Sequence, residues 1–236
     1  MKECVKLILK SSLIGKKIYP LAQQVYRFYA NPIKRARLQR LGVALFKELD
    51  RVMSQNGVAY FADYGTLLGI VREHAFIRTD DDIDVTVLQH GEDPKRILSF
   101  LLDAGFEFVH AIVYNNKIVV FTVSWSGLPV DIYITEDSPH EGFSRYTGAR
   151  YCPDVKYESS DQNNCISRDI IQVNAVKYVD FCGIKVPVPV NAEELLEFEY
   201  GQLWRIPDAK CKNATDAVYV ERPGYALRVL DVSKLI

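Results

Sequence analysis

The chain has 236 residues, 48% of them apolar and 25% charged, with a formal net charge of −1. That is the composition of an ordinary folded protein, and it leaves room for one large domain or one domain with an appendage. The near-zero charge conceals a split: residues 1–40 carry ten Lys and Arg against one acid, Glu3, a net +9, while the remainder carries −10. Five cysteines (Cys4, Cys152, Cys165, Cys182 and Cys211), odd in number and without a CxxC pair, point to a reduced, cytoplasmic compartment.

The basic N-terminus is amphipathic. Val5, Leu7, Ile8, Leu9, Leu13, Ile14, Ile18, Leu21, Ala22, Val25 and Tyr26 recur at near-helical spacing. Lysines interrupt them too often for a transmembrane span, and no apolar run precedes a small-residue cleavage site. Residues 1–37 therefore read as a basic helical segment. It either lies on an anionic membrane surface, peripheral on the cytoplasmic face, or packs on the domain with its lysines in water. Residues 38–236 read as the main domain.

Within that domain, residues 38–57 form an amphipathic helix ending near Asn56-Gly57. VAYFAD (58–63) is a short strand, and YGTLLGIVRE (64–73) is a tight turn feeding a helix with Gly65 at its start. DIDVTVL (82–88) alternates as a strand does. DPKRILSFLLDAG (93–105) has Pro94 near its start and Gly105 after its end, the punctuation of a helix. Two apolar runs, 106–114 and 117–125, flank Asn115-Asn116 as a hairpin does, and SGLP turns the chain into VDIYI (130–134). Residues 135–175 are polar and irregular and read as a long functional loop region with some short structure. A hairpin turning at Cys182-Gly183 and a helix from Asn191 to Gly201 follow. The pattern is α+β: helices flanking a mixed, largely antiparallel sheet, preceded by the basic helical segment.

The stretch TDDDIDVTV (79–87) places four aspartates in five positions. On a strand, Asp82 and Asp84 share one face while Ile83 and Val85 take the other. Two carboxylates so close repel unless a cation lies between them. All-oxygen ligation suits Mg²⁺ or Mn²⁺. Asp131 stands inside the apolar strand VDIYI and becomes a third carboxylate if that strand pairs beside 82–88; Asp80 and Asp81 would orient ligands or cap the loop. An EF-hand is excluded, because counting from Asp80 the sixth position is Val85 and the twelfth is Gly91. The set Cys152, Cys165, Cys182 and His140 has no ligand-pair spacing and reads as scattered thiols rather than a zinc site.

Just upstream, Gly65 and Thr66 at a helix start offer backbone N–H groups and a hydroxyl to a phosphate. Arg72 could reach back as a cationic clamp or pair with the surplus aspartates. Trp125, Tyr133, Tyr146, Tyr151, Tyr157 and Trp204 could stack on a base or sugar, cage a quaternary ammonium, or simply pack.

YGTLLGIVREHAFIRTDDDIDV resembles the signature of LicD-like phosphotransferases at Gly65, Thr66, Leu67, Leu68, Gly69, Arg72, Phe76, Ile77, Asp80, Asp81, Asp82, Ile83 and Asp84. VPVPVNAEELLEFEYGQLWRIP is similar to that family's closing element at Pro187, Leu195, Leu196, Tyr200, Gly201, Trp204 and Pro207. The resemblance spans about residues 40 to 210. It implies a nucleotidyltransferase-type fold in which Asp82, Asp84 and Asp131 bind Mg²⁺ (or Mn²⁺). It further implies transfer of a phospho-alcohol, such as phosphocholine or ribitol phosphate, from a CDP-linked donor to a glycan acceptor, with CMP released. Gly65, Thr66, Arg72 and Asp81 would then serve substrate binding. Asp131 or Asp80 would accept the proton. Where members often have Gly-Phe-Ile-Pro-Trp, this chain has Ala75-Phe76-Ile77-Arg78-Thr79, and Arg78 adds a cation near the phosphates. Two other functions use the same residues: nucleotide transfer onto a sugar phosphate or small acceptor, and a non-catalytic binding module. Nucleic acid fits less well, because the basic residues interleave with aliphatic ones as a lipid surface prefers; on such a surface the glycan acceptor would be lipid-linked.

Overall fold

The structure, a computed structural model, describes residues 13–88, 93–149, 165–207, 220–222 and 226–236. Helix α1 (Leu13–Gln55) opens it; its 43 residues make it about 65 Å long. Strand β1 (Tyr60–Ala62), a short helix α2 (Tyr64–Leu68), a wide π turn (Gly69–Glu73), strand β2 (Ile83–Val87) and helix α3 (Pro94–Asp103) follow. Next come β3 (Glu107–Tyr114), β4 (Lys117–Trp125), β5 (Leu128–Ile134), β6 (Glu136–Asp137), β7 (Phe143–Ala149) and β8 (Cys165–Ile171). The hairpin of β9 (Val176–Phe181) and β10 (Ile184–Pro189), helix α4 (Ala192–Tyr200), β11 (Val220–Arg222) and β12 (Ala226–Val229) complete the order, ending in a 3-10 turn at Val232–Lys234.

The fold is α+β, built on a six-stranded mixed sheet ordered β1-β2-β5-β4-β3-β12. Strands β2 and β5 run parallel, and every other neighbouring pair in this sheet is antiparallel. One face is apolar. Val85, Val87, Phe121, Val123, Val130 and Ile132 are almost wholly buried there, with Leu45, Phe46, Leu49 and Met53 of α1 and Ile97, Leu98 and Leu101 of α3 in the same core. Helix α1 ends at Asn56-Gly57, where Gly57 takes a positive φ of 71°. It does not begin at residue 38, however: the helix passes through residues 37 and 38 unbroken, so the basic segment from Leu13 onward continues the core helix. Residues 1–12 lie outside the described residues. Among the described residues no helix is long and apolar enough to cross a membrane.

The expectation of a long loop region with some short structure over 135–175 is corrected where the chain is described, at 136–137, 143–149 and 165–171; residues 150–164 lie outside the described residues. Strands β6, β7 and β8, with β11, form a second, four-stranded sheet ordered β11-β8-β7-β6. It packs through β7 toward β3 and β4. Its strands escaped notice because the side chains they bury include polar ones: Thr147, Ser167 and Arg168 are 5% exposed or less. An alternation of apolar and polar residues signals a strand only when the buried face is apolar.

Both hairpin turns read from the sequence are present. Asn115 and Asn116 have φ of 47° and 62°, and Cys182 and Gly183 have 49° and 83°. Paired positive φ values are what a two-residue hairpin demands.

Candidate metal centre

The loop that delivers the aspartates is gripped from behind by α1. Phe76 lies over Gly42, where a Cβ would stand 2.6 Å from its ring, and it meets Phe181 edge-on with ring centroids 5.0 Å apart. Gln39 Nε2 donates to the carbonyls of Phe76 and Ile77, each at 3.3 Å. Gly69 lets the same loop close against the π turn: a Cβ there would meet the Ala75 carbonyl at 2.6 Å. The Asp80 N–H then donates to the Ile77 carbonyl at 3.0 Å, and the chain enters β2.

Parallel pairing of β2 with β5 sets Asp84 directly beside Asp131, and Asp82 sits one residue before β2 begins. One carboxylate oxygen from each of Asp82, Asp84 and Asp131 lies within 4.8 Å of the others. Among the described residues this is the one group of three or more His, Cys, Asp or Glu side chains with such convergence. Asp84 and Asp131 come from two neighbouring strands and Asp82 from the residue just before β2, so the pairing of β2 with β5 brings them together.

Charge makes the cluster costly by itself. Burial, reinforced by Asp131, Asp81 and Asp80, pushes Asp82 up to about 7. Burial raises Asp84 well above the usual carboxylate range, with Asp82 and Asp131 adding to it. Asp131 is raised by burial as well, against the opposing effect of a 2.5 Å hydrogen bond donated by Thr122 Oγ1. Asp80 is pushed up to about 6, chiefly by burial and then by Asp81 and Glu73. Three carboxylates whose charged forms are disfavoured, and whose oxygens converge, fit a hard divalent cation with oxygen ligands.

The other expected residues are placed as follows. Thr66 Oγ1 accepts the Asp84 backbone N–H at 2.9 Å, so its hydroxyl fixes the strand that bears Asp84. A Cβ on Gly65 would collide with the Asp80 carboxylate; glycine there leaves Asp80 its place. Arg72 donates from Nη1 to the Trp204 carbonyl at 3.1 Å and from Nη2 to Glu73 at 2.6 Å, joining the two sequence blocks. Asp81 pairs with Lys34 Nζ at 3.6 Å. Arg78 is exposed. Cys182 is exposed and His140 pairs with Asp169 at 2.7 Å, while Cys152 lies outside the described residues.

Sequence reasoning missed the support beneath the cluster. Asp63 is fully buried and caps α2, accepting the Tyr64 N–H at 2.8 Å. Its other oxygen accepts from Thr86 Oγ1 at 2.6 Å and from the Tyr146 hydroxyl. Tyr133 donates to Asp84 Oδ1 at 3.4 Å, and the rings of Tyr64, Tyr133 and Tyr146 lie 4.9 to 5.8 Å apart. Arg168 covers the Tyr64 ring at 4.8 Å and pairs with Glu199 at 2.7 Å, both side chains buried. Burial and Asp63 push Glu199 up to about 8 even with Arg168 beside it. Tyr133 and Tyr146 are thus committed to this layer rather than open to a base or sugar. An aspartate closing an apolar strand, Asp63 after VAYFA, was the available signal.

Residues 57–191 match the family described as LicD/FKTN/FKRP, nucleotidyltransferase domain, more than half of the chain. The ribitol-5-phosphate transferase FKTN of Mus musculus is 25% identical over 176 residues, covering 74% of this chain and 34% of that protein. The uncharacterized protein RT0683 of Rickettsia typhi is 31% identical over 71 residues, 30% of this chain and 23% of that protein. The uncharacterized protein RP689 of Rickettsia prowazekii is 31% identical over 72 residues, 30% of this chain and 27% of that protein. The chain spans about a third or less of the length of these curated relatives.

Proposed function

The chain belongs to the LicD/FKTN/FKRP nucleotidyltransferase-domain family, and from that premise we propose that it is a divalent-metal-dependent transferase of a phospho-alcohol. The donor is a CDP-linked alcohol, the acceptor a glycan hydroxyl, and the leaving product CMP. The observation that carries this reading is the convergence of Asp82, Asp84 and Asp131 to within 4.8 Å, inside the segment that matches the family. The resemblance to a ribitol-5-phosphate transferase supports the class of group moved.

Asp82, Asp84 and Asp131 would hold Mg²⁺ or Mn²⁺. Bound there, the ion supplies positive charge to neutralise the diphosphate and its leaving group. The rest falls to the chain. Thr66 and Tyr133 fix Asp84 through its backbone N–H and its Oδ1, and Thr122 fixes Asp131. The acceptor oxygen bonds to the phosphorus that carries the alcohol, the bridging oxygen departs with CMP, and the acceptor proton passes to a carboxylate. Asp131 already accepts from Thr122, whereas Asp80 lies outside the converging three, which favours Asp80 as the proton acceptor. Arg78, exposed and two residues before Asp80 in the chain, is the further cation that would meet a phosphate. Arg72, bound to Glu73 and Trp204, acts instead by holding the loop and by its field on Asp80.

The test is a panel of CDP-activated alcohols offered to the purified protein with Mg²⁺ and candidate glycans. CMP release with the phospho-alcohol on the acceptor is the expected result. Pyrophosphate release with a nucleotide on the acceptor would instead establish a nucleotidyltransferase, and neither product would leave a binding module. The basic segment 1–37 supports a peripheral contact with an anionic membrane, where a lipid-linked glycan would lie. Flotation with anionic liposomes, lost when residues 1–35 are removed, is the expected check; unchanged flotation would refute it.

A further inference from the structure

The polar face of the six-stranded sheet carries one row that continues past the carboxylates. Asp84, Asp131, Thr122 and His110 are successive register partners across β2, β5, β4 and β3, so their side chains share a face. His110 stands in that row only because β3 is irregular. Glu107 and Phe108 pair with Ser124 and Val123, yet the residue opposite Thr122 is His110 and not Val109. Val109 is the extra residue, and it is 41% exposed. In unbroken register His110 would face Phe121, a residue of the apolar side. The register is restored between Ile112 and Val113, so the displaced stretch is the short piece that carries His110. A bulge of this kind re-aims a side chain and gives up regular ladder bonds to do so.

The protons available along the row fix how His110 is bound. Thr122 is buried, and it gives its one hydroxyl proton to Asp131 Oδ1 at 2.5 Å. Thr122 Oγ1 then has only lone pairs to offer. His110 Nε2 lies 3.5 Å from it, at the long end of the hydrogen-bond range, and can join only as a donor. Among the described residues His110 Nδ1 is buried and has no hydrogen-bond partner. A proton on Nδ1 would produce two faults: a buried donor left unpaired, and the lone pairs of Nε2 and Oγ1 set against each other. A proton on Nε2 makes one bond and leaves one bare acceptor. Burial, and then the charge of Arg228, push His110 down to about 4, so at neutral pH the ring carries one proton and one tautomer prevails.

We infer that His110 is a positioning residue for Asp131: its Nε2–H donates to Thr122 Oγ1 and so holds the Thr122 proton on the carboxylate. Hydrogen bonds in a chain polarise one another, so the donation strengthens the bond that Asp131 receives. A carboxylate oriented in advance has less freedom to lose when a cation arrives, which is how partners beyond the ligands themselves raise metal affinity. The support of the candidate metal centre thus reaches from β5 across β4 to β3. The inference deepens the transferase reading and rests on it only for the purpose that Asp131 serves.

Heteronuclear NMR of the histidine ring nitrogens in the full chain, at pH 8 with Mg²⁺ present, tests it first. The His110 signals are those lost in His110→Gln. The Nε2–H tautomer is the expected result, and an Nδ1–H or doubly protonated ring would overturn the inference. Mn²⁺ affinity, read by electron paramagnetic resonance, is the second measurement. His110→Leu should weaken it roughly three- to fivefold. His110→Gln, whose amide keeps a donor near the Nε2 position, should recover most of that loss. In a Thr122→Val background His110→Leu should add nothing further, because the two residues act through one bond. Equal affinity in His110→Leu and the wild type, or an undiminished further loss in the Thr122→Val background, would also overturn it. A wild-type chain that shows the Nε2–H tautomer but binds no Mn²⁺ would sink the metal-dependent reading and leave the link from His110 to Asp131 standing.

Discussion

The two faces of the six-stranded sheet are made from the same strands and differ in everything else. On β2 and β5, Val85, Val130 and Ile132 are fully buried against helices, while their immediate neighbours Asp84 and Asp131 face the cluster. On β4, Phe121 and Val123 belong to the apolar face, and Thr122 between them donates to Asp131. A strand reverses side-chain direction at each residue, so one backbone serves two purposes without compromise. Burial on the helix side stabilises the strands, and that rigidity is what can hold repelling carboxylates together. The difference teaches that the acidic cluster is kept in place from both faces, by apolar packing that never touches it and by Thr66, Thr122 and Tyr133, which hydrogen-bond to it.

Substitutions on each face should therefore separate activity from stability. The largest expected effect is on the polar face: Asp82→Ala should lower transferase turnover by on the order of 10²–10³-fold or more, while leaving the melting temperature of the metal-free protein unchanged or higher. Steady-state assay beside thermal melting checks it, and near-normal turnover in the folded variant would break the contrast. On the apolar face, Phe121→Ala should cost about 3–5 kcal/mol of unfolding free energy, read by denaturant titration, with metal affinity intact in whatever fraction stays folded. Thr122→Val is subtler. It keeps the shape, removes the hydroxyl behind Asp131, and should weaken divalent-metal binding by roughly 10–100-fold; equal affinity would show that Asp131 needs no such support.

How far these faces could be read in advance depended on separation along the chain. Asp82 and Asp84 were legible because an acidic run leads straight into a β-branched strand, and Asp131 because an acid interrupts an apolar one. Their meeting required β2 and β5 to be neighbours, which the resemblance implied and composition did not. Asp63, Tyr146, Arg168 and Glu199 were not legible. Tyr146 lies 83 residues from Asp63, and Glu199 lies 31 residues from Arg168, so nothing local announces either pair. Two of these residues sit on strands whose buried polar side chains made the segment look like a loop. Thr122 and His110 become meaningful only once the strand register is known.

The smallest effect concerns pH. Burial and neighbouring carboxylates raise Asp82 from 3.8 to about 7 in the folded state. Between those values the folded chain holds protons that the unfolded chain has released, so folding stability falls as pH rises through that window. The metal-free protein should therefore melt at progressively lower temperature from about pH 4 to about pH 7 as far as this group is concerned. Added Mg²⁺ should raise the melting temperature most above pH 7, where the carboxylates bind it without first losing protons. A Mg²⁺ effect that is largest at acid pH would contradict that sign.

The most direct measurement is a Mn²⁺ titration followed by electron paramagnetic resonance at pH 8, on the wild-type chain and on Asp131→Asn. Saturation of a single site in the wild type, with affinity weakened at least tenfold in Asp131→Asn, is the predicted result. Equal affinity in the two proteins, or no Mn²⁺ bound by either, would contradict the account.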